Sequence, residues 1–514
     1  VLLSRKFLVM IMKINVPAWV KDAVFYQIFP DRFATSRRVP KAGLKLEDWE
    51  TAPTPYGFKG GDLLGIVEHL DYLQDLGITA IYLNPIFASA SNHRYHTYDY
   101  YNVDPLLGGN AALRELLDAA HARGIKVVLD GVFNHASRGF WQFHHVLENG
   151  AGSPYLDWFH FNPEFLSGKK HWGAYPSKKQ SKRIRSGMNS IDAIGYSAWW
   201  NLPALPKLNT ATPAVRKFIF EVAEYWIKFG IDGWRLDVPA EIDDDSFWQE
   251  FRQRVKKINP EAYIVGEIWQ ESQRWLQGDQ FDAVMNYLVT GALIGLLVGE
   301  KISDEVYHCG DYGKFVRPLS TEEFAERIDY LQGLYDPAIN HAQLNLIDSH
   351  DTPRFLSIVE GDKSSLKLAW FFLMTYPGAP CIYYGDEIGL DGHHDPDCRK
   401  SFPWQDKRSW DKTLRNYLQE LIAIRKAHST LSRGSYQKLF AKDNVIAFSR
   451  IRGKEKYIVL MNTASTLRRI EIPVETLAIP EGQLETIFGK ADATLRAGKI
   501  SLALPKRSGV ILKA

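Results

Sequence analysis

Eight short apolar runs, each rich in β-branched or aromatic residues and separated by helix-like stretches, constrain this chain more than any other feature. They are 24–29 (VFYQIF), 78–84 (ITAIYLN), 125–132 (IKVVLDGV), 231–238 (IDGWRLDV), 263–268 (YIVGEI), 281–287 (FDAVMNY), 344–349 (LNLIDS) and 380–385 (PCIYYG). Near-continuous apolar strands are the mark of parallel strands buried on both faces. Eight alternating βα units predict an α/β protein built on a closed (β/α)8 TIM barrel.

The helical stretches carry end signals. Residues 62–76 start at Asp62 and stop before Gly77, and 110–123 start at Asn110 and stop before Gly124. Residues 212–229 run from Thr212, with Pro213 at the first turn, to Gly230. Between the third and fourth strands the chain is far too long for a loop and rich in Trp, Gly, Pro and Lys, so an inserted subdomain is expected there. After a helix at 411–427 the sequence turns to period-two alternation with hairpin turn signals. The expected layout is an N-terminal extension at 1–16 and a barrel at 17–133 and 206–431. Subdomain B follows strand three at 134–205, and a C-terminal antiparallel β-domain fills 432–514.

Composition excludes several function classes. A net charge of +2 over 514 residues gives no basic footprint for nucleic acid and no polybasic membrane patch. No stretch is apolar enough to span a membrane. Three cysteines, Cys309, Cys381 and Cys398, are too few and too scattered for a disulfide framework or a zinc site, and they suit a reducing compartment. Arg5 and Lys6 before the apolar run Phe7 to Met12 resemble a signal peptide, but Lys13 interrupts the pattern and no cleavage site follows. The expected location is therefore cytoplasmic. Fifteen Trp, 24 Tyr and 27 Phe favour a carbohydrate ligand, since sugar rings stack on aromatic faces.

Four strands deliver charge where they stop: DGVFNH (130–135), GWRLD (233–237), GEIW (266–269) and LIDSHD (346–351). On a barrel, the C-terminal ends of the strands face the active-site bowl. Asp237 and Glu267 close neighbouring strands, about 4.8 Å apart, which suits the carboxyl spacing of roughly 5 Å in retaining glycosidases. Arg235 shares a strand face with Asp237 and would hold it ionised, while Glu267 must be protonated at rest. Asp351 is the third acid. His96, His135 and His350 could donate to sugar hydroxyls. Asp130 reads as a support of the rim, and Trp199 and Trp200 as either packing or sugar platforms.

These segments resemble the α-amylase family of glycoside hydrolases, from about Trp19 to the end. FYQIFPDRF (25–33) is similar to the family's first strand, and DGVFNH, GWRLD, GEIW and SHD to its four signature regions. The resemblance implies Asp237 as nucleophile, Glu267 as acid/base and Asp351 as transition-state stabiliser, with Arg235, His135 and His350 at the substrate. In YHTYDYYNVDP (95–105) it implies that His96 and Tyr98 frame the reacting sugar, Tyr98 as stacking platform. LPKLN (205–209) and DPDCRKSFPW (395–404) resemble the neopullulanase, cyclomaltodextrinase and maltogenic amylase subgroup. They imply that Asp395 and Arg399 grip the non-reducing side, and that Glu241 and Trp269 sit at the leaving group.

Departures qualify the match. The subgroup carries an N-terminal β-domain that swaps across a dimer. Fewer than twenty residues precede the first strand here, so that dimer is not expected. VPAE (238–241) replaces VANE, and Gln270 replaces a His. The subgroup's calcium site uses oxygen ligands just after DRF together with Gly-Gly-Asp. Gly60, Gly61 and Asp62 are present, but Arg37 and Arg38 stand where ligands belong, so that site is expected to be empty and no cofactor to be required. Asn134 matches a different calcium site of many amylases, without its usual His partner. The implied substrates are cyclodextrins, maltooligosaccharides and related α-1,4-glucans. The alternatives are a transglycosylase or isomerase using the same intermediate, an α-1,6-acting enzyme, or a non-catalytic carbohydrate-binding member of the fold.

Overall fold

The computed structural model describes residues 14–41, 43–167 and 176–514. Eight parallel strands form one sheet: β1 (Phe25–Ile28), β2 (Ala80–Leu83), β3 (Lys126–Gly131), β4 (Gly233–Leu236), β5 (Tyr263–Gly266), β6 (Ala283–Val284), β7 (Leu344–Asn345) and β8 (Ala379–Tyr383). Their order is β6-β5-β4-β3-β2-β1-β8-β7. A parallel bridge from Met285 to Leu344 joins the two ends, so the barrel closes between β6 and β7. Each of the eight predicted runs overlaps one of these strands, seven of them containing it whole.

Every barrel strand from β1 to β5 is buried except at Lys126, as sheets covered on both faces require. The packing between β4 and β5 leaves no room for a side chain at Gly233, whose Cβ would lie 2.2 Å from the Tyr263 carbonyl oxygen. The helix Pro213–Phe229 begins with Pro at its first turn and ends at Gly230, which adopts a φ of 113°. The predicted 62–76 helix is two pieces, Leu63–Glu68 and Leu70–Leu76, broken where His69 leaves helical geometry and bonds its Nδ1 to the Gly65 carbonyl. Asp62 caps the first piece, accepting from Gly65 N at 2.7 Å. The predicted Asn110 start is shifted, because Gly108 caps the helix Gly109–Ala122 while Asn110 bonds back to Tyr101 and Val103.

The insertion after β3 wraps the mouth of the barrel. Its segment 134–138 runs beside 204–208, through Ala136 N to Pro206 O and Leu208 N to Asn134 O. Residues 196–199 lie on the far side of 204–208, through Lys207 N to Ser197 O and Trp199 N to Leu205 O. The C-terminal domain is two antiparallel sheets of five and four strands, starting at Ser435. A core including Ile458, Leu460, Ile500 and Leu512 lies between them. Arg450, buried, fastens this domain to the barrel by donating to the carbonyls of Thr375, Leu431 and Gly434. Among the described residues no helix is long and apolar enough to cross a membrane. The predicted extension at 1–16 falls almost wholly outside the described residues.

Candidate active site

Parallel pairing fixes the central geometry. Leu236 of β4 is in register with Gly266 of β5, so the next residues, Asp237 and Glu267, emerge side by side. Glu267 N donates to Leu236 O at 2.9 Å, which continues the ladder to that point. Adjacent strands sit about 4.8 Å apart. Arg235, on the same face as Asp237, is buried and serves three carboxylates. Its Nη1 lies 2.9 Å from both oxygens of Asp130 and 3.1 Å from Asp237 Oδ1. Its Nη2 lies 2.9 Å from Glu267 Oε1. Asp130 also accepts from Tyr82 and Tyr95, so it anchors the arginine as a supporting group.

Glu267 is held from two further directions, by Trp269 Nε1 at 3.1 Å and by Val238 N at 3.2 Å. Trp269 in turn stacks on Tyr287 with ring centroids 4.3 Å apart. Burial, with the Asp351 carboxylate adding to it, pushes the Glu267 carboxyl up to about 7 against the pull of Arg235. Asp237 is also raised, by burial first and the Glu267 charge second, with Arg235 opposing.

The third acid comes from the loop after β7. Asp351 Oδ1 pairs with Arg399 Nη2 at 3.2 Å, and its Oδ2 lies 3.0 Å from His350 Nε2. Gln27 Nε2 donates to His350 Nδ1 at 2.9 Å, which places the imidazole proton on Nε2, facing Asp351 and Tyr95 Oη. Burial drives the His350 pKa well below its ordinary value, so the ring is neutral. Arg399 reaches Asp395 as well, at 2.9 Å, and donates its Nε to the His350 carbonyl.

A cavity of about 510 Å³ opens above these groups. Asp237, Glu267, Asp351, Trp269, Asp395 and Arg399 all line it, as do His96 and Glu241. Glu241 is tied to Lys207 Nζ at 2.9 Å, which joins the PAE turn to the LPKLN segment. His135 and His350 are fully buried beneath the lining. Burial lowers the His135 pKa to about 3, so this ring too is neutral.

Tyr98 is a correction. It does not line the cavity and is 39% exposed, in the strand Thr97–Val103. Tyr95, three residues earlier in the same motif, lines it instead, together with His93 just before the motif. Tyr95 stacks on His350 at an interplanar angle of 7° and donates to Asp130 at 3.0 Å. The pairing of 87–89 with 97–103 slips twice, so strand alternation does not carry through the motif. Trp199 and Trp200, left open between packing and platform, both line the cavity, and sequence reading missed Leu202 from the insertion and Cys309, Gly310 and Asp311 from the segment after β6, which line it too. None of these last three sits in a strand-end motif, so no sequence signal marked them.

The calcium expectation rested on Arg37 and Arg38, and the structure assigns the cation differently. Arg38 points outward to Glu115 at 2.6 and 2.7 Å. Lys41 supplies the inward charge. Its Nζ lies 3.2 Å from Asp62 Oδ2 and donates to the Leu106 carbonyl. Asp62 is otherwise occupied by Ser36 N and Gly65 N, and Asp31 by Lys59 N and Gly60 N. The ammonium at Asp62 stands where a divalent ion, which needs six to eight oxygen ligands, would draw on that carboxylate.

Three carboxylates and an arginine at the C-terminal mouth of a (β/α)8 barrel, walled by aromatic rings, define a carbohydrate-processing site of the paired-carboxylate type. Residues 27–420 match the family model of the alpha amylase catalytic domain, and 434–512 that of the alpha-amylase C-terminal domain. The chain belongs to the α-amylase family of glycoside hydrolases. It is 42% identical to a cyclomaltodextrinase of Geobacillus thermopakistaniensis, over 89% of this chain and 72% of that protein. A debranching enzyme of Nostoc punctiforme superposes with a TM-score of 0.86 at 48% identity, covering 98% of this chain and 100% of that one. Cyclic α-maltosyl-(1→6)-maltose hydrolase of Arthrobacter globiformis gives 0.80 at 34% identity, with coverage of 97% and 100%.

Proposed function

We propose that this glycoside hydrolase cleaves α-1,4-glucosidic bonds in cyclodextrins and maltooligosaccharides with retention of configuration, through a covalent glycosyl–enzyme intermediate. The observation that carries the mechanism is the lateral pair Asp237 and Glu267, in register on adjacent strands and bridged by one guanidinium. Adjacent strands about 4.8 Å apart suit the roughly 5 Å separation of a retaining pair better than the wider gap of an inverting one. Asp237 attacks the anomeric carbon while Glu267 gives its proton to the departing oxygen. Glu267 then takes a proton from the water that releases the sugar. Once Glu267 is neutral, the largest neighbouring charge that raises Asp237 disappears, and Arg235 keeps Asp237 ionised. Asp351, tied to Arg399 and His350, faces the same space and stabilises the oxocarbenium-like charge. The cyclomaltodextrinase relative supports the substrate class.

Parallel incubations with β-cyclodextrin, soluble starch and pullulan, read as product chromatograms, test this reading. Ring opening and short maltooligosaccharides are expected, and an untouched cyclodextrin beside an untouched starch would overturn it. A second reading, cleavage at α-1,6 links, is favoured by the two solved proteins spanned end to end by this chain, whose names are those of a debranching enzyme and an α-(1→6)-linked maltose hydrolase. Its sign would be rapid loss of pullulan with cyclodextrin spared.

Because the Glu267 proton is needed for attack and its carboxyl sits at about 7, kcat/KM should fall about tenfold per pH unit above that value. A profile flat to pH 9 would contradict the acid role of Glu267.

We also propose that no calcium is needed beside Asp62, a reading supported by the Lys41 ammonium at that carboxylate. Chelator should leave the Tm within about one degree, whereas Lys41→Ala should lower it by a few degrees by stranding the buried Asp62. A large drop on chelation of the unaltered enzyme would contradict this.

A further inference from the structure

Trp200 and Trp141 are exposed by 73% and 61%, and no other tryptophan among the described residues is exposed to that degree. Large aromatic surface left in water is costly at about 25 cal/mol per Å², and clustered patches of it mark binding surfaces. Both come from the segment inserted after β3. Trp200 caps a stack that starts at the buried His135. Trp199 lies on His135 at 5.1 Å and 13°, and Trp200 on Trp199 at 4.5 Å and 9°. Trp200 and Asn201 both hold left-handed backbones, φ 50° and 55°. Two such residues in a row cost of order 1 kcal/mol or more each, which fixes the Trp200 ring at the cavity edge. Leu202, 45% exposed, lines the cavity beside it.

From that edge the backbone leads outward in adjacent ribbons. Segment 198–200 lies against 205–206, Arg138 N donates to Ala204 O at 3.2 Å, and Ser137 N donates to Thr97 O at 2.7 Å. Three ribbon spacings separate Trp200 from Tyr98, roughly 14 Å. Tyr98 is 39% exposed, and its Cβ lies 3.6 Å from where a side chain on Gly139 would begin. Trp141 follows two residues later, at the start of the helix Trp141–Asn149.

We propose that Tyr98 and Trp141 continue the Trp200–Leu202 edge as an open surface track, on which the uncleaved arm of a long α-glucan lies outside the cavity. The occupant follows from continuity, since the inner end of the track is the wall of the sugar cavity itself. Aromatic rings spaced along a surface suit a chain of pyranose rings, each with one apolar face. The inference rests on the α-glucan reading above, and the experiment separates the two.

Steady-state kinetics would be measured on maltotriose and on long amylose-type maltooligosaccharides for the parent enzyme, Trp141→Ala, Tyr98→Ala and the double variant. The double variant is expected to lose about tenfold in kcat/KM on the long chains, through KM with kcat held, and to match the parent on maltotriose. Equal effects on both substrates, or none on the long one, would overturn the track. So would a change of solution mass in the double variant with long-chain kinetics unchanged, which would assign the surface to a second copy. If the parent cleaves neither substrate, the α-glucan reading fails by itself. The track is then read by gel retardation in soluble amylose: retardation of the parent that the double variant loses supports it, and no retardation of the parent overturns it.

Discussion

Asp237→Asn is expected to lower kcat by about four to six orders of magnitude on any substrate the enzyme turns over. The amide cannot form the glycosyl ester, and nothing nearby can replace it. Asp130 is turned inward onto Arg235, Tyr82 and Tyr95, and Asp351 is committed to Arg399 and His350. The same change should not harm the fold. Asp237 is buried beside three other acids, Glu267, Asp130 and Asp351, whose charges add to burial in raising its pKa. Removing one charge from that group relieves repulsion, so the Tm should hold or rise by a few degrees. Calorimetry alongside single-turnover kinetics checks both halves. A variant that keeps a tenth of the parent rate would remove Asp237 as nucleophile.

Arg235→Leu should be the most damaging single change to activity and stability together. The guanidinium is fully buried, over the Tyr82 ring and against Met285 Sδ, and it is the shared cation of Asp130, Asp237 and Glu267. Removing one partner of a buried charge network costs about 3–5 kcal/mol, because the remaining charges stay desolvated. The sign of the pH dependence follows from linkage. Without Arg235 the three carboxyls have folded-state pKa values raised above their unfolded ones. Rising pH then pulls protons from the unfolded chain first, and stability is lost. The penalty should therefore be largest above about pH 7 and shrink toward pH 5, where the buried carboxyls are neutral. Denaturant melts of parent and variant at both pH values measure it, and a pH-independent difference would contradict the network.

The barrel was legible because parallel strands covered on both faces leave runs such as VVLDG and YIVGE that no half-exposed element would carry. Asp237 and Glu267 were legible for the same reason. Each ends a recognisable strand, and strand order then forces them together. Legibility failed where local pattern and three-dimensional path part. Between Ser91 and Thr97 the chain turns through a positive-φ Arg94, and the strand that follows pairs with two register shifts, so Tyr95 rather than Tyr98 reaches the bowl. After DRF, three basic residues occur within five positions, and only the path of the loop decides that Arg38 goes to Glu115 while Lys41 turns in to Asp62. Trp200 was visible as a residue but not as a wall. Its ring is set by a left-handed backbone that no composition signal announces.

The central claim is double displacement by Asp237 and Glu267, and the anomeric form of the first product tests it most directly. Proton NMR over the first minutes of β-cyclodextrin opening would follow the new reducing end before mutarotation. The α-anomer appearing first, with the β-anomer growing only as mutarotation proceeds, is the result this geometry predicts. The β-anomer appearing first would mean a single displacement by water, and would contradict the assignment of Asp237 as nucleophile.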